Sequence, residues 1–113
     1  MVANFFDNIP DSLPEELVTI LLKSPGCRIE RILSHGQSSP EGFWYDQDET
    51  EWVVVLKGSA RLQFSDGTIV KLNPGDHVCI GPHERHRVDW TTSDEVTVWL
   101  AVFVSCDQPD ESE

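Results

Sequence analysis

Two stretches of the chain decide the fold. The first is Glu51-Trp52-Val53-Val54-Val55-Leu56-Lys57-Gly58, and the second, further along, is Pro74-Gly75-Asp76-His77-Val78-Cys79-Ile80-Gly81-Pro82-His83-Glu84-Arg85-His86. In the first part a short apolar run ends at Gly58, and in the second a run begins after a Pro-Gly-Asp turn. Short runs that are rich in β-branched residues and bounded by glycine or proline are typical of strands. The two segments therefore predict two strands that carry Glu51 and His86 on one β scaffold.

The rest of the chain repeats this pattern. Strands are predicted over residues 27–33, 51–57, 60–64, 69–72, 77–80, 87–91 and 96–104. Asp66-Gly67 is a hairpin signal, and Ala60, Leu62 and Phe64 alternate with polar residues, as one buried face of an antiparallel sheet requires. The pattern predicts an all-β fold, a small antiparallel β-barrel or sandwich.

The N-terminal region has a different pattern. Ser12-Leu13-Pro14-Glu15 has the form of a capping box, and Leu13, Leu17, Ile20 and Leu21 recur at helical spacing. These features predict one short helix over residues 13–23. We therefore expect residues 1–26 to form an arm and helix packed on the barrel, residues 27–104 to form the barrel, and residues 105–113 to be a disordered acidic tail.

Composition limits the classes of partner. The 113 residues fit one domain, and eight Lys and Arg against 20 Asp and Glu give a net charge of −12. This charge repels phosphate backbones and anionic headgroups, which excludes nucleic acid and membranes as expected partners. The cysteines are odd in number and lack Cys-x-x-Cys spacing, which indicates a reducing cytoplasm.

The two motif segments resemble the cupin superfamily, specifically its small single-domain (type-2) members. Six residues separate Glu51 from Gly58, and Gly75 is followed at the family's spacing by His86. The first motif is degenerate, because neither possible register supplies its two histidines. One register places Gln47 and Tyr45 at those positions, and the other places Asp46 and Trp44 there. The resemblance covers about residues 27–104 and implies a barrel of the cupin, or jelly-roll, type.

The resemblance also implies a metal. Family members with all four ligands hold one divalent ion inside the barrel, commonly iron, manganese, nickel or zinc. In this chain Glu51 and His86 keep their places, and Gln47, Asp46 and His83 are the candidates for further ligands. Asp46, Glu51 and His86 together would suit manganese or iron(II).

Each of these residues also has a purely structural interpretation. Asp46, Asp48 and Glu49 fit a solvated acidic loop. Glu51 fits a buried ion pair with Arg31, Arg61 or Arg85, and His86 fits a hydrogen-bonded core residue.

Two functions remain open from the sequence. The first is a small-molecule-binding cupin barrel, in which Tyr45, Trp44 and Arg61 contact the ligand beside Glu51 and His86. The alternative is a metal-dependent cupin enzyme of the dioxygenase, isomerase or lyase type, since fold alone does not select a reaction. A third hypothesis is a structural subunit without a ligand. The apolar run 96–104 fits either a central strand or a subunit interface, and we expect a homodimer.

Overall fold

The computed structural model describes residues 1–105, so the predicted acidic tail falls almost wholly outside the described part of the chain. Within that part the chain forms eight strands. They are β1 Leu17–Ser24, β2 Cys27–Ser34, β3 Thr50–Lys57, β4 Ala60–Phe64, β5 Ile69–Leu72, β6 His77–Ile80, β7 His86–Thr91 and β8 Thr97–Val104. The seven strands predicted from turn chemistry and alternation all exist, and the all-β prediction is confirmed.

The predicted helix over residues 13–23 is wrong, because this segment contains β1, which pairs antiparallel with β2. The reason lies in the register, which shifts between Ile20 and Leu22 at a β-bulge. A bulge adds one residue and breaks the period of two. Leu17 and Ile20, which precede the bulge, lie on opposite faces of β1, and their spacing of three also fits a helix. Pairing with β2 prevails over the capping signal at Ser12.

Two antiparallel sheets face each other. One has the strand order β1-β2-β8-β3-β6 and the other has the order β5-β4-β7. Their inner faces form the main core, in which Val53, Val55, Leu62, Trp99 and Phe103 are each less than a tenth exposed. The open part of the space between the sheets holds the candidate site.

The N-terminal arm covers part of the outer face of the larger sheet. Leu33 and Val98 are fully buried there, and Phe5, Ile9 and Leu13 pack against their cluster. The Arg31 side chain fixes the arm, because its Nη1 donates to the carbonyl oxygen of Phe5 at 3.0 Å and to that of Asp7 at 2.7 Å. No helix in residues 1–105 has the length and hydropathy needed to cross a bilayer.

Candidate functional site

A cavity of about 320 Å³ lies between the two sheets. Its walls are mostly aliphatic and aromatic, and its polar groups come from Glu16 directly before β1, from β2, β3 and β7, and from the segment before β3. The lining residues that matter below are Glu16, Arg28, Glu30, Tyr45, Gln47, Glu51, His86, Trp99 and Phe103. Concave apolar sites with a few convergent polar groups are where small ligands bind. The site therefore contains Glu51 and His86, the two residues that the motif spacing selected.

Glu51 and His86 form a buried pair at this cavity. They are 8% and 3% exposed, and Glu51 Oε1 lies 3.4 Å from His86 Nε2. Gln47 Nε2 donates to the same carboxylate oxygen at 3.0 Å, and the His86 Nδ1–H donates to the carbonyl oxygen of Glu84 at 2.9 Å. This second bond holds the ring with Nε2 towards Glu51.

The His86 ring is also held on its faces. The Tyr45 ring stacks on it at a centroid distance of 5.4 Å, and Phe64 lies 6.1 Å away on a tilted plane. The backbones of Tyr45 and His86 exchange two hydrogen bonds, which join the segment before β3 to β7. Tyr45 therefore reaches the cavity because its main chain is anchored to the strand that carries the histidine.

Burial and neighbouring carboxylates change three protonation equilibria in the cavity. Burial lowers the pKa of His86, but the hydrogen bond and charge of Glu51 together with the Glu84 carbonyl outweigh it and raise that pKa. Burial raises the pKa of Tyr45, and Glu16, Glu51 and Glu30 raise it further. Burial of its carboxylate raises the pKa of Glu16 although the residue as a whole is exposed; Ser34 opposes this change and Glu30 adds to it. The site is therefore an acidic environment.

We expect the pKa of His86 to fall in the Glu51→Gln variant, because the amide removes the charge that raises it. In the wild type the folded protein binds this proton more tightly than the unfolded chain, whose histidine pKa is about 6.5. The stabilisation is complete below that pH and is lost as the pH rises through the folded pKa. NMR titration of the His86 ring in the wild type and in Glu51→Gln measures its pKa in each protein.

The matched control for this titration is Asp46→Asn. Asp46 raises the pKa of His83, mainly by its hydrogen bond, so the control lowers the titration midpoint of His83 and leaves that of His86 in place. An unchanged His86 midpoint in Glu51→Gln would contradict the prediction.

Asp46 and His83 lie outside the cavity. His83 Nδ1 donates to Asp46 Oδ1 at 2.7 Å, and His83 Nε2 lies 3.0 Å from Asp48 Oδ1. All three residues are exposed. Each ring nitrogen thus faces a different carboxylate, and the three groups do not converge on one point. The interpretation as a solvated acidic loop therefore fits Asp46 and Asp48, and both carboxylates contact His83.

Trp44 and Arg61 are not brought to the cavity either. The Arg85 guanidinium lies over the Trp44 ring at 5.6 Å. Arg61 is on the outward face of β4, where its Nε lies 3.2 Å from Asp89 Oδ2 and its guanidinium lies over Trp90. The predicted ion pair of Glu51 with Arg31, Arg61 or Arg85 is not formed. Glu51 contacts His86 and Gln47 instead.

The donor set does not fit a resident divalent metal. Within residues 1–105 no three or more His, Cys, Asp or Glu side chains are grouped so that they could hold an ion. Glu51 and His86 are two strong metal donors, and the amide of Gln47 beside them is a weaker one. Structural and catalytic sites for zinc or iron use three or four protein ligands.

Three residues of the site have no counterpart in the sequence prediction. Glu30 and Arg28 share the inward face of β2 with Ile32, and period-two alternation alone could have identified them. Arg28 Nε donates to Glu30 Oε2 at 2.7 Å, and its two terminal nitrogens donate to the carboxylate of Glu49 at 2.8 and 3.2 Å. Glu16 could not have been identified, because the prediction placed it in a helix.

Comparisons with known proteins agree with this architecture. The family model described as "Cupin domain" matches residues 30–103. No protein with a curated description matches the chain. A crystal structure from Ralstonia eutropha JMP134, named "putative mannose-6-phosphate isomerase", is 43% identical, has a TM-score of 0.89, and is matched over 93% of this chain and 98% of its own.

Two more distant structures share the fold. A cupin superfamily protein of Desulfitobacterium hafniense DCB-2 is 18% identical with a TM-score of 0.71, over 86% of this chain and 84% of its own. A Klebsiella pneumoniae protein with a double-stranded β-helix domain is 17% identical with a TM-score of 0.74, over 94% and 90%. With the family model matching most of the chain, this protein belongs to the cupin superfamily as a small cupin-type domain.

Proposed function

We propose that this protein binds a small organic molecule in the cavity between its sheets, with Glu51 and His86 at the polar end. The observation that carries the proposal is the buried contact between Glu51 and His86 at the wall of a largely apolar cavity of about 320 Å³. An ionisable pair with a raised histidine pKa in a cleft is typical of functional sites. The free thiols of Cys27 and Cys79 are compatible with a cytoplasmic location, which is part of the proposal.

The residues around the pair have separate roles in this proposal. His86 offers a proton at Nε2, while Glu51 stabilises the charged ring and Gln47 fixes the carboxylate. Tyr45 forms the aromatic wall on the open side. Trp99 and Phe103 belong to the apolar wall that contacts the body of the ligand. The arrangement binds a molecule with one polar and one apolar end.

The test is an NMR titration of ¹⁵N-labelled protein with benzylamine, benzyl alcohol, benzoate and mannose. Binding should move the indole signal of Trp99 and the ring signals of His86, both of which line the cavity. Val18 lies at the exposed edge of the cavity, so Val18→Trp should block entry and abolish these changes. Ile69→Trp adds the same ring at an exposed site outside the cavity and should leave them intact. If no probe moves these signals, or Val18→Trp leaves them unchanged, the proposal fails.

An isomerase is the second candidate function, favoured by the name given to the 43% identical Ralstonia protein. In this version Glu51 and His86 exchange a proton with the substrate. Incubation with mannose 6-phosphate, followed by measurement of fructose 6-phosphate, tests it. Turnover that Glu51→Gln abolishes, with the fold intact by circular dichroism, would move the protein from binding module to enzyme.

We expect the protein to carry well under one equivalent of iron, manganese, nickel or zinc when it is purified without a tag or chelator. The reason is the donor set of Glu51, His86 and one amide. Elemental analysis of wild type and His86→Ala should give the same low metal content. Near-stoichiometric metal that is lost in His86→Ala would contradict this prediction and favour the metal-dependent enzyme.

We further propose that two copies associate through the outer face of the larger sheet. The strand registers align Leu22, Ile29, Val102, Trp52 and Cys79 in one row across all five strands. Leu22 and Cys79 are exposed, and the other three are partly exposed. A second copy offers the same uncharged, partly exposed row, and a two-fold axis places the two rows against each other.

For this dimer, Leu22→Lys is expected to shift the protein to monomer, because it places two ammonium groups in an apolar contact. Ile69→Lys is the control, since Ile69 is 54% exposed, much like Leu22 at 52%, but lies on the edge strand of the other sheet. Sedimentation velocity measures the molecular mass of the wild type and of both variants in solution. Because each copy carries a net charge of −12, added salt should strengthen the wild-type dimer. A wild type that is monomeric at high salt would exclude this interface.

A further inference from the structure

The cavity wall carries more negative than positive charge. Three carboxylates line it, those of Glu16, Glu30 and Glu51, against one guanidinium, that of Arg28. Among the described residues that line it, the one other group that can carry positive charge is the ring of His86, and Glu51 already contacts that ring. A ligand that enters therefore meets more negative than positive charge.

Arg28 is not free to receive an anion. All three of its nitrogens are engaged, Nε by Glu30 and the other two by Glu49. One face of the guanidinium also covers the Phe103 ring at 4.1 Å. A phosphate bound at this position would have to displace Glu49 from a two-pronged contact, which is the geometry that arginine and carboxylate form best.

Among residues 1–105, no cation pairs with Glu16. Its Oε2 accepts a hydrogen bond from the Ser34 hydroxyl at 3.2 Å. No Lys, Arg or His among residues 1–105 lies within 4.0 Å of its carboxylate oxygens. Burial is the largest cause of the raised pKa values of Glu16 and Tyr45, and an excess of neighbouring carboxylates raises both further. A cation placed beside Glu16 would relieve this excess, and an anion would increase it.

We infer that the cavity selects a small organic ammonium with an apolar body and rejects phosphorylated sugars. This inference rests on the proposed function and names the ligand class of the same cavity. The ammonium lies at the Glu16 and Glu30 side, and the apolar body contacts Trp99 and Phe103. Phosphate sites use free arginine or lysine side chains or helix N-termini. Within residues 1–105 the structure offers no helix, and its one cavity arginine is already paired.

The experiment compares ligands of one shape and three charges. Benzylamine, benzyl alcohol and benzoate are titrated by NMR at low salt, with mannose 6-phosphate beside them. We expect benzylamine to bind at least about tenfold more tightly than benzyl alcohol, and benzoate and mannose 6-phosphate not to bind. Glu16→Gln should reduce the affinity for benzylamine several-fold and leave that for benzyl alcohol unchanged. Glu41→Gln, which removes the same charge at an exposed site outside the cavity, should change neither.

The outcomes separate this inference from the function on which it rests. If benzoate or mannose 6-phosphate binds in the cavity as tightly as benzylamine, the charge selection is wrong while the cavity remains a binding site. If Glu16→Gln and Glu41→Gln weaken benzylamine equally, the preference comes from the net charge of the chain, and the inference is also wrong. If no probe perturbs Trp99 or His86, both the inference and the proposed function fail.

Discussion

Gly58→Ala is expected to lower the free energy of unfolding by about 3–5 kcal/mol, from the cost of a left-handed residue together with overpacking. Gly58 has φ +83°, a conformation that residues with a Cβ rarely adopt. A Cβ at this position would lie 2.7 Å from the Cα of Thr97 and would also overlap the Thr97 hydroxyl. Because part of this obstacle is backbone, rotation of a side chain does not remove it.

The position of Thr97 makes the clash costly. Thr97 is fully buried, and its hydroxyl oxygen both accepts from the Ser59 amide at 3.3 Å and donates to the Ser59 carbonyl at 3.2 Å. These bonds hold the turn between β3 and β4 against the start of β8. An alanine methyl would force the turn away and leave buried polar groups without partners.

Gly67→Ala is the control that separates the two costs. Gly67 has φ +94°, yet a Cβ there would meet nothing within 4 Å. It should lose only the backbone cost, about 1–2 kcal/mol. Urea unfolding followed by circular dichroism compares the two variants. Equal losses in the free energy of unfolding for Gly58→Ala and Gly67→Ala would mean that the close approach of Thr97 adds nothing to the cost of the substitution.

Most of the fold was predictable because local and global signals agree. The seven predicted strands are bounded by turn residues and carry at least one apolar face, and all seven are present in the structure. β1 could not be predicted, because a bulge at Leu21 hides its alternation and its partner lies across a hairpin. Strand pairing joins residues that are separated in the sequence, whereas a capping motif involves only neighbouring residues, so the pairing of β1 outweighs the capping signal.

The candidate site was predictable in the parts that the motif spacing fixes. Glu51 and His86 meet as the spacing implied, and Tyr45 and Gln47 join them. Asp46 alternates with these two along an extended segment and faces outward to His83. Sequence spacing left both registers open, and only the backbone bridge between Tyr45 and His86 selects one.

The Glu16 side of the cavity was beyond sequence reasoning. It depends on β1 pairing with β2, which brings Glu16 to Ser34 from 18 residues away. The Glu16 contribution to the acidic character of the cavity therefore arises from a pairing that local patterns did not predict.

Trp99→Ala is expected to destabilise the protein by about 3–5 kcal/mol, because it removes a large ring from a packed core. Trp99 is 3% exposed, lies in the main core cluster on β8, and also lines the cavity. Trp44→Ala is the control, since Trp44 is partly exposed and contacts the Arg85 guanidinium at 5.6 Å. The control should lose much less. Thermal and urea unfolding measure both, and equal losses would contradict the assignment of Trp99 to the core.

Trp99→Phe separates packing from hydrogen bonding at the same position. The Trp99 indole donates to the Ser34 hydroxyl oxygen at 3.1 Å, and that hydroxyl donates in turn to Glu16. Phenylalanine keeps most of the buried surface and loses only the first of these bonds, which costs about 1 kcal/mol. Ser34 still donates to Glu16, so the preference of the cavity for benzylamine should persist in Trp99→Phe. Loss of that preference with the fold intact would mean that the indole, through Ser34, positions the Glu16 carboxylate.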